Sequence, residues 1–192
     1  MMTAHVTQAL DGFARRAFSV AEFERMFETG ILDDSENLEL IEGEIVPMAA
    51  KNHVHERVKS TILLTLARGL PPELWLGVES SLEMSEMTLF EPDLVIYPKR
   101  LKLREVRGPD ILLAVEVADT SFGFDRNQKA RLYAGYGVQE LWVVEANSRT
   151  TYVHRGPGRG GWASIVEAPA SGVVRPQATD LEGISFRLGE LD

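Results

Sequence analysis

Apolar residues recur three and four apart between Ser19 and Gly30: Val20, Phe23, Met26 and Phe27. That is the period of one helix face. Ser19 with Glu22 three residues later forms a capping box, and Gly30 supplies a stop. The pattern predicts a helix over 19–29. In LELIEGEIVPM, residues 38–48, two short apolar stretches flank Glu42-Gly43, which predicts a hairpin. From His53 to Gly69 the period is helical again. Val54, Val58, Ile62, Thr65 and Leu66 share a face, and Pro71-Pro72 follow the end.

The pattern then changes to that of strands. LWLGVESSLEM and EPDLVIYP read as two, and ILLAVEVA, residues 111–118, is the most strand-like and most buried run. The charged stretch between them, Leu101 to Asp110, reads as a loop. Asp125 with Gln128 repeats the capping logic and opens a helix that runs to Ala134 or Tyr136. ELWVVEA is a strand, RTTYVHR follows the turn-like Asn147-Ser148 as its hairpin partner, and WASIVEA is one more. RGPGRGG, residues 155–161, is a loop at a hairpin tip; it lacks the Lys-Ser/Thr ending and following helix of a phosphate loop. The last 25 or so residues hold one or two short strands. Helices and strands interleave around one sheet, an α/β or α+β mixed-sheet domain. Residues 1–17 form an extension and 18–192 a single domain.

Composition narrows the chemistry. The 192 residues are 44% hydrophobic and 26% charged, which is ordinary globular material. There is no cysteine, so disulfides and thiolate zinc sites are excluded and a reducing cytoplasm is the expected compartment. No apolar run approaches a membrane span, and the N-terminus lacks the apolar core of a signal peptide. The net charge of −9 argues against strong nonspecific binding to nucleic acid. The one basic cluster is short: Lys99, Arg100, Lys102, Arg104 and Arg107.

Three residues break the apolar pattern in a way that invites chemistry. Glu116 sits inside the most buried strand, where an unpartnered carboxylate costs several kcal/mol or neutralises. Asp93 opens the preceding strand, and Lys129 lies in the following helix. Neighbouring strands can bring Asp93 beside Glu116; two such carboxylates repel unless a cation meets them. Oxygen ligands of this kind suit Mg²⁺ or Mn²⁺ rather than Zn²⁺. Structural alternatives stand beside each assignment. Asp93 is also an ordinary strand-start residue, Glu116 can form a structural salt bridge, and Lys129 can pair with Asp125 in solvent.

The run Pro92-Asp93 followed by Glu116-Val117-Ala118 in the next strand resembles the PD-(D/E)XK nuclease superfamily. The longer pattern is more specific. LELIEGEIVPM with a following His, EPDLVIYP, and LLAVEVADTS with Asp125, Lys129, Tyr133 and GVQELWVVE resemble the "Uma two" family of restriction-endonuclease-like proteins. The resemblance runs from about residue 18 to the C-terminus.

It implies a restriction-endonuclease-like core in αβββαβ order around a central mixed sheet, and a metal-dependent phosphodiesterase site. Asp93 and Glu116 would bind Mg²⁺ or Mn²⁺, with the backbone carbonyl of Val117 a further ligand. The superfamily often places a lysine two residues after the Glu. Here that position is Ala118, and the family pattern moves the lysine to Lys129. Glu39 and His55 also match the family pattern. Glu39 is either an additional carboxylate or a solvent-facing hairpin residue. His55 either orients water, metal or phosphate or is a surface or capping residue, while His53 points to another side. Gln128 is explained by the cap and Tyr133 by packing.

The resemblance implies hydrolysis of nucleic acid, DNA first. Apolar strands late in the chain, and the two active sites that many nucleases need for two DNA strands, make a homodimer the expected assembly. The other reading is a nuclease-fold domain that no longer cleaves and serves as a binding or protein-interaction module.

Overall fold

The computed structural model describes residues 6–8, 14–33, 35–48, 51–119, 123 and 125–190. The chain divides into two compact units: residues 1–50 with 81–91, and residues 51–80 with 92–192.

In the first unit, β1 (Val6–Gln8) pairs antiparallel with β2 (Ala14–Arg16). These short strands lie in the stretch that the sequence pattern left as an extension. Helix α1 (Val20–Glu28) starts where predicted: Ser19 and Glu22 form the reciprocal capping box. Strands β3 (Leu38–Ile41) and β4 (Glu44–Pro47) make the expected hairpin. Its turn residues Glu42 and Gly43 have φ of 50° and 85°, the two positive values that a type I′ turn requires. Any Cβ at Gly43 would also lie 2.5 Å from Cβ of Ala17. With β6 (Leu82–Ser85) and β7 (Thr88–Phe90) this hairpin forms a four-stranded sheet, β4-β3-β7-β6. Val20, Phe23 and Leu40 are its buried centre.

The second unit carries the larger core. Helix α2 spans His53–Gly69, and the Asn52 side chain caps it by accepting from the N–H groups of Val54 and His55. The strands β5 (Leu74–Val78), β8 (Leu94–Pro98), β9 (Leu113–Ala118), β10 (Glu140–Glu145), β11 (Thr151–Gly158) and β12 (Gly161–Ala168) form one sheet, in the order β12-β11-β10-β9-β8-β5. Only β9 and β10 pair in parallel, and the other neighbours are antiparallel. The parallel pair needs a crossover, supplied by the segment that contains α3 (Ala130–Gly135). With α2, β5, β8, β9, α3 and β10 the core has the expected αβββαβ order in a mixed sheet. Val58, Ile62 and Leu66 of α2 pack with Leu94, Ile96, Leu113, Val115, Val117 and Trp142. Because side chains alternate along a strand, Glu116 points to the other face of β9.

Several sequence expectations are corrected. LWLGVESSLEM is two strands that join different sheets, β5 with β8 and β6 with β7. Leu101–Asp110 contains two 3₁₀ turns, Leu103–Glu105 and Gly108–Asp110. The helix expected from Asp125 begins with a π-helical turn, Asp125–Lys129. Residues 120–122 and 124 and the Asp125 side chain lie outside the described part, so the expected Asp125 cap does too. RGPGRGG is mostly strand: Pro157 faces Trp162 and Gly158 faces Gly161 across β11–β12. Past Arg155, β11 has left the register of β10, so Pro157 sits where a missing N–H is tolerated. The C-terminal segment carries an isolated bridge, Val174 with Phe186, rather than named strands. Among the described residues no helix is long and apolar enough to cross a membrane.

Candidate active site

β8 begins at Leu94, which faces Val115 of β9, so Asp93 and Glu116 hold the next facing positions of the antiparallel register. The structure therefore brings the two carboxylates to neighbouring strands, as their order suggested. Each is buried, at 3% and 6% exposure. Different groups hold them.

Asp93 ends the β8 ladder with its side chain. Its Oδ2 accepts the backbone N–H of Val117 at 2.8 Å and lies 3.1 Å from His55 Nε2. Its Oδ1 is buried with no hydrogen-bond partner; Lys51 Nζ stands 3.6 Å away. A strand residue turns its N–H and C=O toward the same neighbour. The Val117 carbonyl thus faces the same side of β9 as the N–H that Asp93 binds.

His55 is buried in the first turn of α2 rather than exposed, whereas His53 is exposed. Its Nδ1 lies 3.2 Å from Glu56 Oε1. Both ring nitrogens face carboxylates, and only the protonated imidazole can donate from both. Burial opposes the charged ring, but hydrogen bonds and attraction from Asp93, then Glu56, outweigh it and raise the pKa above the ordinary value.

Glu116 is held from the α3 side. Lys129 Nζ lies 2.9 Å from its Oε1, and the Tyr133 hydroxyl donates to the same oxygen at 2.6 Å. Lys129 is buried, so it does not stand in solvent as the alternative reading had it. Tyr133 packs as expected, but its hydroxyl is also part of the site. Lys129 closes the π-helical turn and Tyr133 follows four residues later, one helical turn on, so both reach Glu116.

Glu39 belongs to the first unit. It is buried rather than solvent-facing, and its Oε1 accepts the N–H of Glu91 at 2.8 Å. Its role as an additional carboxylate stays an expectation from the resemblance. Among the described residues no group of three or more His, Cys, Asp and Glu is gathered as a metal cage.

Sequence reasoning missed a second layer. Glu79 Oε1 accepts from Lys51 Nζ and from Lys59 Nζ, each at 2.6 Å, and Lys59 also donates to Glu56 at 2.8 Å. Burial would raise the Glu79 pKa, but the two lysines dominate and hold it at about 2. For Lys51 and Lys59 burial opposes the charge, yet the carboxylates raise both pKa values. One signal was available: Lys59 lies four residues after His55 and three before Ile62, on the buried stripe of α2. Asp119, just past β9, was also overlooked. It accepts from Asn52 Nδ2 and from Asn147 Nδ2, and so ties the start of α2 to the β10–β11 turn.

Comparisons with known proteins agree with this architecture. A crystal structure described as "a putative nuclease belonging to DUF820" from Anabaena variabilis superposes with a TM-score of 0.71 at 14% identity. The match covers 91% of this chain and 97% of that one. At this identity it establishes a shared fold. No curated protein matches the sequence. The model of the Uma2 family, "Putative restriction endonuclease", matches residues 20–188. With nearly the whole chain covered, the protein belongs to the Uma2 family of restriction-endonuclease-like proteins.

Proposed function

We propose that this nuclease-like protein is a divalent-metal-dependent hydrolase of phosphodiester bonds in nucleic acid, with DNA as the expected substrate. The observation that carries the reading is the buried Asp93 Oδ1, without a hydrogen-bond partner, next to the Val117 edge of β9. A buried acceptor left without a hydrogen bond calls for a partner. Asp93, Glu116 and the Val117 carbonyl form an all-oxygen donor set that suits Mg²⁺ or Mn²⁺. Mg²⁺ is commonly held through one or two carboxylates and keeps several waters, so a larger acidic cage is not required. When bound, the ion supplies activation of water and neutralisation of phosphate charge.

The chain's own residues supply the rest. The Val117 N–H and His55 fix the Asp93 carboxylate before any ligand arrives. Fixed groups of this kind need no reorganisation during reaction. Lys129, held on Glu116, provides the cation for negative charge that develops on the phosphoryl group. It stands in for the lysine that Ala118 lacks. The protonated form of His55 adds a second positive group toward phosphate.

The test is incubation of purified protein with single- and double-stranded DNA and RNA in Mg²⁺ or Mn²⁺. The expected result is cleavage that EDTA removes and Glu116→Gln reduces by at least about tenfold. No cleavage of any substrate, or equal cleavage by the variant, rejects the reading and leaves the binding-module alternative.

A further inference from the structure

We infer that Lys51 is a resident counter-cation at Asp93, which a divalent ion must displace in order to bind. The inference rests on the metal-dependent reading above and adds an exchange step to it.

The geometry separates Lys51 from an ordinary structural salt bridge. Its ammonium lies 3.6 Å from Asp93 Oδ1, within ion-pair range but too far to satisfy that oxygen by a hydrogen bond. It closes instead on Glu79, at 2.6 Å. Lys51 therefore offsets the Asp93 charge while leaving the Oδ1 lone pairs unused. Glu79 is placed for this task. Its backbone N–H donates to the Asp93 carbonyl at 3.1 Å. Its φ of 47° is a left-handed conformation that a residue with a side chain adopts only when its surroundings impose it. Lys59 holds the same Glu79 oxygen from the buried side.

Charge and exposure give the exchange its direction. Asp93, Glu79 and Glu56 face the ammonium groups of Lys51 and Lys59 and the His55 ring, and of these cationic groups Lys51 stands at Asp93 Oδ1. A dication beside Asp93 meets the repulsion of Lys51 unless that ammonium withdraws. Lys51 can withdraw, because its side chain is 25% exposed and it lies before the Asn52 cap rather than within α2. Lys59, with its side chain 8% exposed, has no such freedom.

The experiment is calorimetric titration of the full chain with MnCl₂, without nucleic acid, for wild type, Lys51→Met and Lys51→Arg. Circular dichroism checks that each variant folds. Removal of the ammonium that stands 3.6 Å from Asp93 Oδ1 is expected to tighten Mn²⁺ binding by about tenfold or more in Lys51→Met. Lys51→Arg, which keeps the charge, is expected to stay near wild type. Binding by Lys51→Met alone also supports the exchange. Unchanged or weaker binding in Lys51→Met, with wild type binding normally, overturns the inference and leaves the metal-dependent reading intact. Binding by none of the three overturns both. If Lys51→Met does not fold, the wild-type structure with Mn²⁺ decides. An ammonium withdrawn beyond 4 Å from Asp93 Oδ1 supports displacement. An ammonium still in place, or an ion absent from Asp93 at saturating Mn²⁺, overturns it.

Discussion

Val117 donates its backbone N–H to Asp93 Oδ2 at 2.8 Å, so a carboxylate stands where the next rung between β8 and β9 would form. The same oxygen faces His55. One side chain thus joins the start of β8, the C-terminal end of β9 and the first turn of α2. Asp93→Ala is expected to strand two buried donors, at a cost of about 1–3 kcal/mol each. Urea denaturation in EDTA measures the loss. Stability equal to wild type would show that Asp93 has no part in holding the fold.

Glu116 and Lys129 predict a different signature. Each is buried, and removal of one takes from the other an opposite charge at 2.9 Å. Lys129→Met or Glu116→Gln alone is expected to destabilise by about 3–5 kcal/mol, with partial recovery in the double variant. The contrary expectation for a repulsive acidic pair is that Glu116→Gln stabilises the metal-free protein. The melting temperature of Glu116→Gln in EDTA separates them, and a rise would mean that repulsion from Asp93 outweighs the lysine.

The second layer makes a pH prediction. The Glu79 pKa falls from 4.5 to about 2 on folding, because Lys51 and Lys59 overcome the effect of burial. A depressed carboxylate pKa contributes stability that is present above 4.5 and lost as pH falls toward 2. Glu79→Gln is therefore expected to flatten the acid limb of a stability–pH curve in that window. The group is partly exposed, so the change is modest. Chemical denaturation at pH 2.5, 3.5, 4.5 and 6 tests it; parallel curves for the two proteins would contradict the assignment.

The start of α2 gives a local test. The Asn52 side chain accepts from Val54 and His55, and its amide donates to Asp119. Asn52→Ala is expected to cost about 1 kcal/mol for the lost cap. The same change loosens the turn that carries His55. A shifted His55 ring resonance in NMR, together with that loss of stability, is the expected pair of results. An unmoved resonance would separate the cap from the site.

Much of the local structure was legible. Ser19 with Glu22 marked the start of α1, Glu42-Gly43 marked a turn, and the period from His53 to Gly69 gave the span of α2. These features depend on a few adjacent residues, so the sequence carries them directly. Glu116 was conspicuous for a similar reason, since a carboxylate in an apolar strand demands an explanation wherever that strand lies.

The chain alone determined the helices, the hairpins, the mixed α and β character and the candidate acids. Tertiary structure decided which groups meet. Glu79 lies 28 residues from Lys51 and 20 from Lys59, and Tyr133 lies 17 from Glu116, separations that no helix or strand period spans. The split of LWLGVESSLEM between two sheets was hidden for the same reason, because an apolar run does not name its hydrogen-bonding neighbour. Pairing is a choice among distant segments, settled by the burial of a whole sheet at once. That choice turned Asp93 from a strand-start residue into a rung of the ladder, and it set a lysine beside each of the two carboxylates.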